Sequence, residues 1–434
     1  MNDNATLNKI LEKYNVNLLN TNIEMNDIIN NFLKNKTDDL PFYIVNLSDI
    51  IKMYIKWTIL LPNIKPYYAV KCNPSPIILE ILASLDCYFD CASKDEINKI
   101  IDITKNTNKI IFANPCKMSS HIKYACRNNV NLMTFDCLEE LYKIKLYHSK
   151  AKLILRLAVD DSKSLCKFNT KFGCKIENLE NILSIVNKLE LNLVGFSFHV
   201  GSGCESAQVY YDAIKICKDS YIIAKKYNIN ISIIDIGGGF PGSNKEGHIS
   251  FEEIAEKINK ARNEFFYTEI NDKMVEFIAE PGRYFVEKSH TLVLNIIAKK
   301  NNNNNLNNIT FDDLTIKNIN DANDIININN NSDINNDIVY YLNDGIYGSF
   351  NCMYYDHCIP NIKPLKIFNN DKIYKSKIFG PTCDSMDLIY DNIMLPNLDI
   401  GDCLYVENFG AYTIAASSSF NGFLTTEFKY ILNC

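Results

Sequence analysis

At 434 residues and 47% apolar content, the chain is long enough for two domains with ordinary globular cores. A formal charge of −6 without a dense basic patch excludes any sequence-level case for binding nucleic acid or an anionic membrane surface, and no apolar run reaches membrane-spanning length. The opening MNDNATLNKI has no charged segment followed by an apolar one, so a cytoplasmic protein is expected, and fifteen scattered cysteines without a CxxC pair read as reduced, mostly buried thiols.

Residues 1–40 are Asn-rich with a few apolar positions (Ile10, Leu11, Leu18, Leu19) and read as an N-terminal arm that joins the C-terminal β-domain. From 41 to 290, eight apolar, β-rich runs end in a polar residue or glycine: 66–71 (PYYAVK), 88–93, 110–115, 132–137, 152–160, 193–201, 233–239 and 276–283. Between them lie stretches such as PIILEILASL and EINKIIDITK, whose apolar residues recur near the 3.6 period. This alternation predicts a (β/α)8 TIM barrel, an α/β unit whose reactive groups gather at the carboxyl ends of the strands. An open doubly wound sheet is the alternative, though it usually has fewer consecutive βα units. Beyond residue 290 the runs TLVLNIIAKK, DIVYYLNDG, SKIFGPTCD and DCLYVENFG lack intervening helices and predict a mostly antiparallel β-sandwich or barrel domain over 291–434. Within it, 301–336 begins NNNNNLNN and is too polar to offset the entropy of ordering, so a disordered insertion is expected.

The strand ends carry the candidate chemistry. Lys71 closes a buried run, where desolvation is expected to lower its pKa and favour the neutral amine that forms Schiff bases; a snorkelling lysine is the plain alternative. Gly237, Gly238 and Gly239 follow IIDI, where bare backbone amides can approach a phosphate or simply make a tight turn. The next run ends in AEPGR, with Glu280, the amide of Gly282 and Arg283; barrel strands seven and eight commonly build a phosphate site. Glu280 would then keep a pyridine nitrogen protonated. His199 in SFHVGSG is either a satisfied core histidine or a flat ring stacked on a cofactor, with Ser202 nearby as a phosphate ligand. Asp90 and Arg156 orient the lysine and a cofactor phenolate, or are interior charge pairs. Farther along, Asp356 and Asp384 are solvated loop carboxylates or bind a distal ammonium. Cys383 stands ready to give a proton to a carbanion, and ENFGAYT supplies Gly410 and the Tyr412 hydroxyl.

The motifs YYAVKCN, FDCAS, FANPCK, LRLAVDDSKS, KFGCK, SFHVGSGC, DIGGGFPG, AEPGRY, NDGIYGSFNCMYYDH, GPTCD and ENFGAYT together resemble those of the eukaryotic ornithine decarboxylases, fold type III (alanine-racemase-like) pyridoxal phosphate enzymes. The resemblance covers about 41–300 and about 337–422. It implies a barrel followed by a β-domain, pyridoxal 5′-phosphate as cofactor, and decarboxylation of L-ornithine to putrescine. It further implies that Lys71 forms the Schiff base, Glu280 holds the pyridinium, and His199 stacks on the ring. Ser202, Gly239, Gly282, Arg283 and Tyr412 would contact phosphate, with Asp90 and Arg156 in support. The family pattern is a homodimer with shared sites: Cys383 as proton donor and Asp384 enter the partner's barrel, Asp356 serves its own, and Lys171 pairs with Asp387 across the interface. Lysine or diaminopimelate decarboxylation is the alternative chemistry on this fold, and a non-catalytic regulator resembling antizyme inhibitor is the alternative class. The chain departs from the pattern at Phe379, where tryptophan is common, in its long Asn-rich insertion, and in ending at Cys434 without a Pro-, Glu-, Ser- and Thr-rich tail, which puts turnover through antizyme in question.

Overall fold

The computed structural model describes residues 3–20, 23–166, 171–244, 248–301, 338–366, 372–423 and 426–433; the Asn-rich insertion expected to be disordered lies outside the described residues. Eight strands, Ile64–Ala69, Tyr88–Cys91, Ile110–Phe112, Leu132–Phe135, Lys152–Arg156, Asn192–Ser197, Ile233–Asp235 and Glu276–Ala279, pair in parallel in chain order. Glu276–Ala279 then pairs with Ile64–Ala69 and closes the barrel, so the expected fold is the one observed.

Period-two alternation explains how the barrel both packs and presents chemistry. Phe89, Phe112, Leu153, Leu155, Phe277 and Ala279 join the main core, whereas Tyr67, Ile111, Ile154, Val194 and Ile278 form a separate buried cluster. Strand residues two apart share a face. Ile154 and Ile278 therefore put Arg156 and Glu280 one step toward the carboxyl ends on the same side, and Ile233, packed against the same cluster, does so for Asp235. Charged groups thus crown an apolar plug.

Outside the barrel, the helix Phe251–Phe265 shows why the sequence folds as it does locally. Ser250 and Glu253 form a reciprocal capping box, and Phe251, Ile254, Ala255 and Ile258 bury one face. Trp57, from the helix Leu47–Leu60, stacks on Phe251, meets Phe240 and Tyr284 edge-on, and donates its indole N–H to the Ile64 carbonyl at 2.9 Å.

Among the described residues the second sheet has nine strands, with His290–Asn301 as its spine. That strand pairs antiparallel with Phe42–Asn46, Cys403–Val406 and Ile338–Leu342. Asn17–Leu19 runs parallel to Glu427–Asn433, which ties the N-terminal arm to this sheet. One boundary differs from the sequence reading. Residues 42–46, there grouped with the barrel, are a β-domain strand flanked by His290–Asn301 and Glu427–Asn433. FYIVN is buried throughout, so its own pattern suits either layer; partners more than 200 residues away select the sheet.

Candidate active site

The carboxyl ends of the barrel strands open into a cavity of about 360 Å³ lined by Lys71, Arg156, His199, Ser202, Gly239, Glu280, Gly282, Arg283, Asp356 and Tyr412. Lys71 sits on a short 3₁₀ turn, Val70–Cys72, just past the first barrel strand, and its Nζ lies 3.0 Å from Asp90 Oδ2. Its side chain is 47% accessible, through the cavity. The expected lowering of its pKa is not what the structure holds. Burial does pull the ammonium down, but Asp90, Glu280 and Tyr412 outweigh it and hold the pKa above the ordinary lysine value. The amine becomes nucleophilic only by giving up a proton that these groups favour.

Around it stand buried ionisable groups. Arg156 is 9% exposed, and its Nη2 has no hydrogen-bond partner among the described residues; burial draws its pKa down against the pull of Glu280, Asp136, Asp235 and Asp90. His199 accepts the Gly201 N–H on Nδ1 at 3.0 Å, and its ring lies so close to Gly238 that a Cβ there would come 2.9 Å from Nε2. Burial, Arg156 and Lys71 hold this imidazole neutral. Glu280 is pushed well above the carboxylate range by burial and by the neighbouring charges of Asp235 and Asp90. Asp235, whose Oδ1 accepts the Gly237 N–H at 2.9 Å, is itself pushed up to about 7, chiefly by burial. Sequence reasoning passed over Asp235; the signal was its place two residues beyond Ile233 on an inward-facing strand end.

The opposite end of the cavity suits an anion. Gly239 adopts a φ of +96°, and a Cβ there would come 2.5 Å from the Gly201 carbonyl, so only glycine makes this turn without displacement. Arg283 Nη2 lies 3.5 Å from Ser202 Oγ, and its guanidinium sits 5.3 Å from the Tyr412 ring. Arg283 also pairs with Asp356 at 2.6 Å, which makes Asp356 the counter-ion of that arginine in this structure. A lysine, a buried guanidinium with a spare Nη2 donor, a proton-holding carboxyl and an arginine–glycine anion cradle match the aldehyde, phenolate, ring nitrogen and phosphate of a pyridoxal phosphate.

Comparison with known proteins decides the family. The profile described as "Pyridoxal-dependent decarboxylase, pyridoxal binding domain" matches residues 47–287. The chain belongs to the pyridoxal-dependent decarboxylases. Ornithine decarboxylase of Mus musculus is 39% identical over 97% of this chain and 88% of its own length. Antizyme inhibitor 2 of Xenopus laevis is 40% identical over 94% of this chain and 84% of its own. Among solved structures, the arginine decarboxylase of Paramecium bursaria Chlorella virus bound to agmatine superposes with a TM-score of 0.80 at 32% identity, covering 94% of this chain and all of that one. Pyridoxal phosphate is therefore the cofactor of this decarboxylase fold.

Two expected site residues lie apart from the cavity. Cys383 is exposed, with its N–H donated to Asn421 Oδ1 at 3.0 Å. Asp384 accepts the Met386 N–H at 3.0 Å and the Tyr347 hydroxyl, whose ring stacks on Phe420. Asp387, expected to pair with Lys171 across a subunit interface, is held in its own loop within the single chain. It is fully buried, its Oδ1 accepts the Ile346 N–H at 2.7 Å, and its Oδ2 accepts the Thr382 hydroxyl at 2.7 Å. Those bonds shape the loop that carries Cys383 and Asp384. Phe379 keeps a ring at its position, stacked on Tyr341 at 5.9 Å.

Proposed function

We propose that this chain decarboxylates L-ornithine to putrescine and carbon dioxide, the first step of polyamine synthesis, as a cytoplasmic homodimer with shared active sites. The observation that carries the reading is the convergence of Lys71, Arg156, Glu280 and Arg283 on one cavity, each with the charge that a different part of the cofactor needs. When bound, pyridoxal phosphate supplies a protonated aromatic ring that stores the electrons left by the departing carboxylate.

The chain's own residues do the rest. Lys71 Nζ, whose ammonium Asp90 stabilises from 3.0 Å, would hold the cofactor once it has released that proton. Glu280, held proton-rich by burial and its acidic neighbours, would face the ring nitrogen. The neutral imidazole of His199 would cover one ring face, and Arg156 Nη2, without a partner among the described residues, would donate to the phenolate oxygen. Arg283, Ser202, the backbone at Gly239 and Gly282, and the Tyr412 hydroxyl would hold the phosphate; the bond from Asp356 to Arg283 limits the net positive charge there. Asp384, brought by the partner subunit together with Cys383, binds the distal ammonium alongside Asp356. Cys383 then delivers a proton to Cα from the thiol.

The likeness to an antizyme inhibitor makes antizyme part of this proposal as a protein partner, and it favours a specific second reading, a regulator without activity. Carbon dioxide release measured side by side from ornithine, lysine, diaminopimelate and arginine separates these cases. Ornithine should lead lysine by the roughly 1–3 kcal/mol that one methylene commands in a fitted pocket. Preference for another substrate would move the assignment within the family, and silence on all four with no bound cofactor would favour the regulator.

A further inference from the structure

Asn73 ends the turn that carries Lys71 and is wholly buried, yet the cofactor chemistry has no use for its side chain. Each of its side-chain polar atoms is engaged. Oδ1 accepts the Ser75 N–H at 3.1 Å, and Nδ2 donates to the Gly410 carbonyl at 3.0 Å. Those two bonds fix which end of the amide is which, so the 3.2 Å contact from Nδ2 makes His290 Nε2 an acceptor. The imidazole proton then sits on Nδ1, 2.8 Å from Ser289 Oγ, whose own hydroxyl goes to the Val286 carbonyl. The donors and acceptors along the chain are consistent from end to end.

This network spans the seam between the two domains. Asn73 belongs to the barrel, while Gly410 lies in the β-domain loop 407–413 that also carries Tyr412. One residue earlier, the Cys72 carbonyl accepts the Tyr412 N–H at 2.9 Å, so adjacent residues of the Lys71 turn grip two residues of the loop. Tyr412 stands at a φ of +60°, a left-handed conformation that a tyrosine holds only when its surroundings impose it. Gly410 is pressed so tightly into place that a Cβ would come 1.9 Å from the Val286 carbonyl, within the helix that begins at Arg283.

We propose that Asn73 is a positioning residue, which sets Tyr412 in its phosphate-binding posture by tying the Lys71 turn to Gly410. This rests on the reading of Tyr412 as a phosphate ligand. Loss of the tie should then weaken whatever Tyr412 does, and spare the part of the site that Lys71, Arg156 and Glu280 supply from the barrel.

Cofactor-stripped protein titrated with pyridoxal phosphate and with pyridoxal, which lacks the phosphate, reads that difference. Asn73→Ala should weaken pyridoxal phosphate about tenfold and pyridoxal less than about twofold. Asn73→Asp keeps the shape and the bond from Ser75 but turns a carboxylate toward the Gly410 carbonyl, so it should show the same selective loss. In a cycle with Tyr412→Phe, the double variant should bind little worse than the worse single one, because both act on one contact. Equal loss for both ligands, additive losses, or failure of both Asn73 variants to fold by circular dichroism would each overturn the proposal. If Tyr412→Phe binds pyridoxal phosphate as the wild type does, the phosphate role of Tyr412 falls and the proposal with it. If Tyr412→Phe is impaired while the Asn73 variants are not selective, the proposal alone falls.

Discussion

Lys71 keeps its proton chiefly because Asp90 lies against it, and this sets how the cofactor attaches. In Asp90→Asn the ammonium loses its partner at 3.0 Å, so the amine should become neutral at lower pH. The pH midpoint for attachment of pyridoxal phosphate, followed by its visible absorption, should fall by about one unit or more. An unchanged midpoint would mean that Asp90 does not govern the lysine. The importance of Lys71 was readable from its place at the end of a buried run, but the sign of its pKa shift was not. Desolvation can be inferred from a flanking apolar pattern; the opposing charge comes from Asp90 at the end of the second barrel strand, and only the closed barrel sets its distance.

Among the local elements, the glycine turn after Ile233–Asp235 works because it needs no side chain. Gly239→Ala would force a Cβ against the Gly201 carbonyl at a φ of +96°, and affinity for pyridoxal phosphate should drop at least about tenfold. Binding equal to the wild type would remove this turn from the phosphate site. The start of the spine strand makes a different prediction through His290, which is buried and has its pKa pulled down to about 3 from 6.5, chiefly by burial. The folded-state pKa is the lower one, so as pH falls below about 6.5 the unfolded chain takes up the proton first and stability is lost. The loss should approach about 1.4 kcal/mol per pH unit until about pH 3. Denaturant unfolding at pH 7 and pH 5.5 should show a smaller drop in His290→Gln than in the wild type; equal drops would exclude the imidazole as the source. The eight barrel strands were legible because each is a compact apolar run ending in a polar residue or glycine. Phe42–Asn46 was not assigned correctly, since a strand buried on both faces carries no mark of which sheet it will join.

For the whole molecule, the separation of Cys383 and Asp384 from the cavity that holds Lys71 suits a site completed by a second copy. Mixing inactive Lys71→Ala with inactive Cys383→Ala protein should restore part of the activity once subunits exchange. In a heterodimer, one of the two sites then receives an intact lysine and an intact cysteine. No recovery despite exchange proven with an orthogonal tag would place the two residues in a self-contained site. The local grammar of the chain was enough to specify eight βα units, a following β-domain and the charged groups Lys71, Arg156, Glu280 and Arg283 that line the cavity, because periodicity and strand-end chemistry are short-range properties; lining residues such as Asn114, Phe172 and Tyr355 were not singled out. Closure of the barrel was needed to raise the pKa of Lys71 and to bring Asp235 against Glu280. Burial of Asp387 within its own chain, and the seam at which Asn73 meets Gly410, likewise depend on segments tens to hundreds of residues apart coming within bonding distance, and distances of that kind are set by packing.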